Sequence, residues 1–191
     1  MTDIISVPAR RLAGSAEPRA AAAASAARGA GDEGELITCV ELLFFAYRDF
    51  TGEADAVLAE FGLGRAHHRV LHFVNRNPGL KVQDLLDILK ITKQSLARVL
   101  KLLLDQGWIH QIAGNEDRRQ RLLHTTEKGA ALAGRLDALQ AKRIATALAA
   151  AGPDSEGAML RFLFAMIVPE ERAVVEALLP RPIVATLPGA G

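Results

Sequence analysis

The 191-residue chain has one cysteine, one tryptophan and one tyrosine, and aromatic residues make up only 5% of it. A lone cysteine, Cys39, excludes an internal disulfide framework and is ordinary for a reducing cytosol. No apolar run reaches the length of a membrane span, and no positively charged start precedes an apolar block, so a cytoplasmic protein without a membrane partner is expected. Catalytic signatures are missing too: there is no GxSxG elbow, no P-loop, no dinucleotide-binding glycine pattern and no Cys/His pair with a positioned acid. Neither an enzyme nor a resident cofactor is expected.

The net charge of +1 hides an uneven distribution. Residues 35–60 hold six acids and one base, whereas residues 90–128 hold eight bases and four acids. A chain charged this way presents its basic region to a polyanion. Half of the residues are hydrophobic, with Ala and Leu dominant, which favours helices.

The first segment, residues 1–33, is rich in Gly, Pro and Ala with balanced charge and reads as a disordered tail. A long helix is expected from about residue 35 to 61, carrying Leu36, Val40, Leu43, Phe44, Tyr47 and Phe50, until Gly62 and Gly64 end it. A second helix, Arg65 to Asn75, precedes the turn Asn77-Pro78-Gly79. Two further helices with a four-residue turn between them follow. In the second of them Leu96, Val99, Leu100 and Leu103 fall at i, i+3, i+4 and i+7, one apolar stripe, with Thr92 placed as N-cap.

The opposite side of that helix holds Lys93, Gln94, Ala97, Arg98 and Lys101. Gln can bond an adenine edge twice and Arg a guanine edge twice, while Lys and Ser suit phosphates. We assign Gln94, Ser95 and Arg98 to base edges and Lys93 and Lys101 to phosphates. A merely solvated helix face would look similar, but the next segment separates the readings. Gly107 ends the helix, Trp108 to Ala113 forms a strand, Gly114-Asn115 opens a turn, and Arg118, Arg119 and Arg121 crowd the hairpin. Such a loop repels itself unless an anion meets it, and a narrow minor groove or a phosphate pair would. Thr126 with Glu127 behind it then starts a new helix. Helix, turn, helix, strand, basic loop and return strand make a winged helix-turn-helix, and double-stranded DNA the expected partner.

These residues resemble the MarR family of bacterial regulators. The family's wing pattern appears as Asp117, Arg119, Leu123, Thr125-Thr126 and Gly129, with Thr125 where Leu is usual. Asp84-Leu85-Leu86 and Ser95-Leu96-Ala97-Arg98 match the helix pair, with Ala97 where Thr is common and Lys81 where a capping Ser or Thr is common. The resemblance implies a mainly α fold, a winged helix-turn-helix with flanking dimerisation helices. It places a MarR-type domain at residues 34–180, with the winged module at about 66–126, dimerisation helices at about 35–61 and 127–179, and a C-terminal tail at 181–191. It also implies a homodimer on a pseudo-palindromic operator, most often as a repressor released by a small organic effector. A winged helix serving as a protein-interaction or architectural module, without an effector, is the competing reading.

The C-terminal third supports a dimer on its own terms. A long Ala/Leu helix from Glu127 to about Ala150 is stopped by Gly152-Pro153-Asp154, and Met159 to Val168 is apolar almost all round before Pro169 opens a further helix turn. A helix this apolar has few burial places within one chain of this size.

Two smaller features complete the reading. His67, His68 and His72 cluster on the second helix, and His68 with His72 has a zinc-compatible spacing, but without a Glu or second Cys no metal site is assigned. With Phe44, Tyr47 and Arg48 they are the expected lining of an effector pocket, which in the family lies between the dimerisation helices and the winged module. Cys39 sits among Leu36, Val40 and Leu43, surroundings that favour an inert thiol over a redox sensor.

Overall fold

The computed structural model describes residues 33–114 and 120–180. The expected tails, 1–33 and 181–191, fall almost wholly outside these residues. The chain divides into two units, Met1–Phe45 and Ala46–Gly191. Helix α1, Glu33–Ala59, begins in the first, where its residues are exposed throughout and Thr38 donates to the carbonyl of Gly34 at 2.8 Å.

The second unit holds the end of α1 and the remaining elements. They are α2 (Arg65–Arg76), β1 (Leu80–Lys81), α3 (Val82–Leu89), α4 (Lys93–Asp105), β2 (Ile109–Ala113), β3 (Arg121–Thr125), α5 (Glu127–Ala151), α6 (Ser155–Ala165) and α7 (Pro169–Leu178). The fold is mainly helical, with one antiparallel sheet in the order β1-β3-β2.

Helix α2 sits centrally because Val70, Leu71 and Val74 are fully buried, and α3, α4, the sheet and α5 pack around them through Leu85, Leu96, Leu103, Leu123 and Leu136. Each such side chain taken from water contributes about 1.5–3 kcal/mol. The apolar stripe expected on α4 is the buried one: Leu96, Val99, Leu100 and Leu103. Its cap is also as expected, with Thr92 Oγ1 accepting from the Ser95 amide at 3.1 Å.

Three local features differ from expectation. Helix α1 stops at Ala59, two residues early, because amides of Phe61 and Leu63 turn back to the carbonyl of Leu58 and Gly62 takes φ 67°. The turn between α3 and α4 spans Lys90 to Thr92, three residues instead of four, since Lys90 ends α3 in the left-handed conformation at φ 50°. The two-residue strand β1 carried no alternating pattern to announce it; Leu80 and Lys81 pair with Leu123 and Leu122 of β3.

The junction of β3 with α5 is tightly built. Thr126 Oγ1 donates to the Gly107 carbonyl at 2.8 Å and accepts from the Gly129 amide at 3.0 Å, while the Thr126 amide donates to the Trp108 carbonyl at 3.1 Å. A Cβ on Gly129 would stand 1.9 Å from the Trp108 carbonyl oxygen, so only glycine lets α5 approach the backbone that leads into β2. Lys128 Nζ lies 3.9 Å from the centre of the Trp108 ring and donates to the Gln106 carbonyl, closing the joint from outside.

Candidate nucleic-acid interface and effector cavity

Burial of the α4 stripe turns the other side of the helix outward. Lys93, Gln94, Ala97, Arg98 and Lys101 are all exposed. Arg98 and Gln94 make no side-chain hydrogen bond or ion pair among the described residues, leaving the donors of a guanidinium fork and the donors and acceptor of an amide turned to solvent. Ser95 is half-buried, and its Oγ accepts from Thr92 Oγ1 at 2.9 Å. Its hydroxyl is thus partly committed to the cap. Lys101 Nζ contacts Asp105 Oδ2 at 2.5 Å, an exposed i, i+4 pair of the kind worth only about 0.3–0.5 kcal/mol, which a phosphate can outcompete.

In the wing, Arg121 is exposed at the start of β3, opposite Ala113. Arg118 and Arg119 lie outside the described residues. Leu123 faces the core, and Thr125, the departure from the family's Leu, is half-buried with its hydroxyl donating to Asn75 Oδ1 at 3.2 Å. The substitution therefore ties β3 to α2 by a polar contact instead of an apolar one.

The six residues expected around an effector are not all brought together. A cavity of about 280 Å³ lies between α1, α2 and α5, lined by Tyr47, His68 and His72 of the expected set. Phe50, Thr51, Asp55, Arg65, Arg69 and Gln140 complete most of the lining. The three neighbours on α1 shared the helix face of Tyr47, a signal the sequence carried, whereas Gln140 on α5 had none. Arg48 and His67 do not line it. Arg48 bonds Asp49 at 2.8 Å, and the Nδ1 of His67 accepts from the Gly64 amide at 3.0 Å, capping α2. Phe44 lies in the other unit and is 70% exposed. Within the cavity Arg65 pairs with Asp55 at 2.7 Å and stands 5.7 Å over the Tyr47 ring, and His72 Nδ1 meets Asp137 Oδ1 at 2.8 Å, joining α2 to α5. Burial holds the imidazoles of His67 and His68 below the ordinary histidine range, with nearby His72 adding to the lowering at His68.

No helix among the described residues is long and apolar enough to cross a membrane. Cys39 is exposed, at odds with the apolar burial expected for it.

The fold defines a winged helix-turn-helix protein with long flanking helices. Residues 61–120 match the sequence model of the MarR family. The chain is 47% identical over 133 residues, 70% of its own length and 80% of the relative's, to the HTH-type transcriptional regulator PetP of Rhodobacter capsulatus. A MarR family regulator from Listeria monocytogenes, solved with a 26mer DNA, superposes with a TM-score of 0.58 at 22% identity, covering 71% of this chain and 89% of that one. Staphylococcus aureus MepR in complex with DNA gives 0.56 at 18% identity, covering 66% and 94%. The chain belongs to the MarR family of DNA-binding transcription regulators.

Proposed function

We propose that the protein acts as a homodimer on a pseudo-palindromic operator, with the α4 helices of two copies entering major grooves about 34 Å apart. The observation that carries this reading is the division of α4 into a wholly buried apolar stripe and an outward face of Lys93, Gln94, Arg98 and Lys101. The relatives solved with DNA favour the same use of the fold. Gln94, Ser95 and Arg98 read bases, Lys93 and Lys101 hold phosphates, and Arg118, Arg119 and Arg121 engage the flanking minor groove.

The apolar surface that one chain leaves uncovered supports self-association. Leu36, Val40 and Phe44 in one unit, and Phe162, Leu163, Met166 and Val168 in the other, are each more than two-fifths exposed. Apolar surface of this extent marks an interaction face. The protein represses, and an organic effector in the α1–α2–α5 cavity releases it by shifting population toward a spacing of the two α4 helices that no longer matches the grooves.

Binding of the purified protein to its own upstream intergenic DNA and to random DNA, at several salt concentrations, tests this. Tight, selective binding with a steep salt slope is expected. Equal, weak binding to both would reject operator recognition.

A further inference from the structure

Helix α7 lies over α2 and α3 without burying any residue of its own. An ion pair of 3.0 Å between Glu171 and Lys90 holds it at the turn preceding α4. Between the three helices is a second cavity, of about 380 Å³. This is within the range of small-molecule sites, roughly 300–1,000 Å³. Its apolar wall comes from Phe73 of α2, Ile88 of α3 and Val174, Val175 and Leu178 of α7. Helix α2 separates it from the α1–α2–α5 cavity, and His72 and Phe73, in edge contact at 5.2 Å, line both.

The charges around this cavity are unevenly satisfied. Glu171 is neutralised by Lys90, and His72 is engaged by Asp137. Among the described residues Asp87 accepts only from the neutral amide of Gln83, at 3.0 Å. Arg76 has no ion pair among the described residues. The rim therefore presents one cation and one anion, each without an opposite charge, beside an apolar wall.

A simple anion would satisfy Arg76 and leave Asp87, and a simple cation would do the reverse. We propose that this cavity binds a small zwitterion with an apolar side chain, a hydrophobic α-amino acid. Its carboxylate meets Arg76, its ammonium meets Asp87 and its side chain enters the wall of Phe73, Ile88 and Val175. Because His72 and Phe73 belong to both cavities, occupancy here acts on the α2–α5 contact from the side opposite the first cavity.

Calorimetric titration of the full chain, without DNA, tests the proposal with L-phenylalanine, phenylpropionate and phenethylamine as probes. Leaving out DNA keeps the result independent of the proposed operator binding. L-Phenylalanine is expected to bind about tenfold or more tightly than either singly charged probe, the loss expected for one charge-assisted contact. Arg76→Gln should weaken L-phenylalanine and leave phenethylamine unchanged, and Asp87→Asn should weaken it and leave phenylpropionate unchanged. Val175→Trp, which fills the wall, should abolish binding while far-ultraviolet dichroism stays native. If it does not fold, the two exposed charge variants decide. Equal affinity for the three probes overturns the zwitterion. No binding, or binding indifferent to Arg76→Gln and Asp87→Asn, overturns the site.

Discussion

Replacing Gly129 with alanine sets two physical effects against each other in one helix. Glycine in a helix interior is less favourable than alanine by about 1 kcal/mol, so the substitution would ordinarily stabilise α5. At Gly129 the new Cβ would lie 1.9 Å from the Trp108 carbonyl oxygen, more than 1 Å inside any tolerable contact. That oxygen cannot swing aside as a side chain would, because it belongs to the backbone and accepts from the Thr126 amide, while the Thr126 hydroxyl is held by the adjoining Gly107 carbonyl. Relief requires α5 to withdraw, which breaks those two bonds and disturbs the Thr126 cap on the Gly129 amide. With about 1 kcal/mol for the cap and 0.5–1.5 for each bond, the gross loss is about 2–4 kcal/mol, and after the gain of about 1 from replacing glycine the net loss is roughly 1–3 kcal/mol.

Gly134, five residues along the same helix, supplies the control. Nothing lies within 4 Å of a Cβ built there, so Gly134→Ala should gain about 0.5–1 kcal/mol. Urea melts of both variants at one fixed protein concentration measure the difference, and the concentration is held fixed because the proposed self-association would add to apparent stability. In thermal terms, at about 2–4 °C per kcal/mol for a chain of this size, Gly129→Ala should melt about 2–12 °C below the parent. A folded Gly129→Ala that melts at or above the parent would refute the steric reasoning.

Other consequences are equally open to measurement. Arg98→Ala should cost about 1–3 kcal/mol of operator affinity and relax preference at one base pair, whereas Arg121→Ala should weaken all sequences alike and flatten the salt slope; equal losses on operator and random DNA for Arg98→Ala would remove it from base reading. Thr92→Ala should lower stability by about 1 kcal/mol and weaken DNA binding through fraying of the first turn of α4, and unchanged amide exchange at Lys93 to Ser95 would contradict this. Since His67 and His68 titrate below their ordinary value of 6.5 when folded, the unfolded chain binds protons more readily. Their contribution is whole above 6.5 and declines as pH falls through it, so urea midpoints should drop between about pH 7.5 and 5.5, and a His67→Gln/His68→Gln double variant should show a flatter profile.

Features with a local physical cause were legible in the sequence. The α4 stripe, its Thr92 cap and the Thr126 start of α5 each follow from side chains a few residues apart, and each stands where expected. Strand β1 was not legible, because two residues cannot display an alternation and Leu80 and Lys81 are strand only by pairing with β3. Lys90 gave no sign either: a left-handed lysine is disfavoured locally and is held by the geometry of the α3–α4 turn and by Glu171. The cavity beside Tyr47 was half legible. Tyr47, His68 and His72 share helix faces that a sequence displays, but Gln140 arrives from a helix some 70 residues distant, and the diversion of His67 to the Gly64 amide depends on where α2 begins.

The close seat of Gly129 on Trp108 has a mechanical meaning. The start of the wing's first strand, the end of α4 and the start of α5 meet at one closely packed joint, so the wing would follow a rotation of α5. Its 25 residues make an arm of roughly 37 Å at 1.5 Å per residue. Over that length, a tilt of about 5° at one end becomes a displacement of about 3 Å at the other, comparable with the rise of a single base pair. Such a tilt of α5 pivoting at Asp137, ten residues and about 15 Å from the wing end, would shift the wing by about 1 Å without a flexible relay, because a stiff joint passes on small rotations that a loose one would absorb.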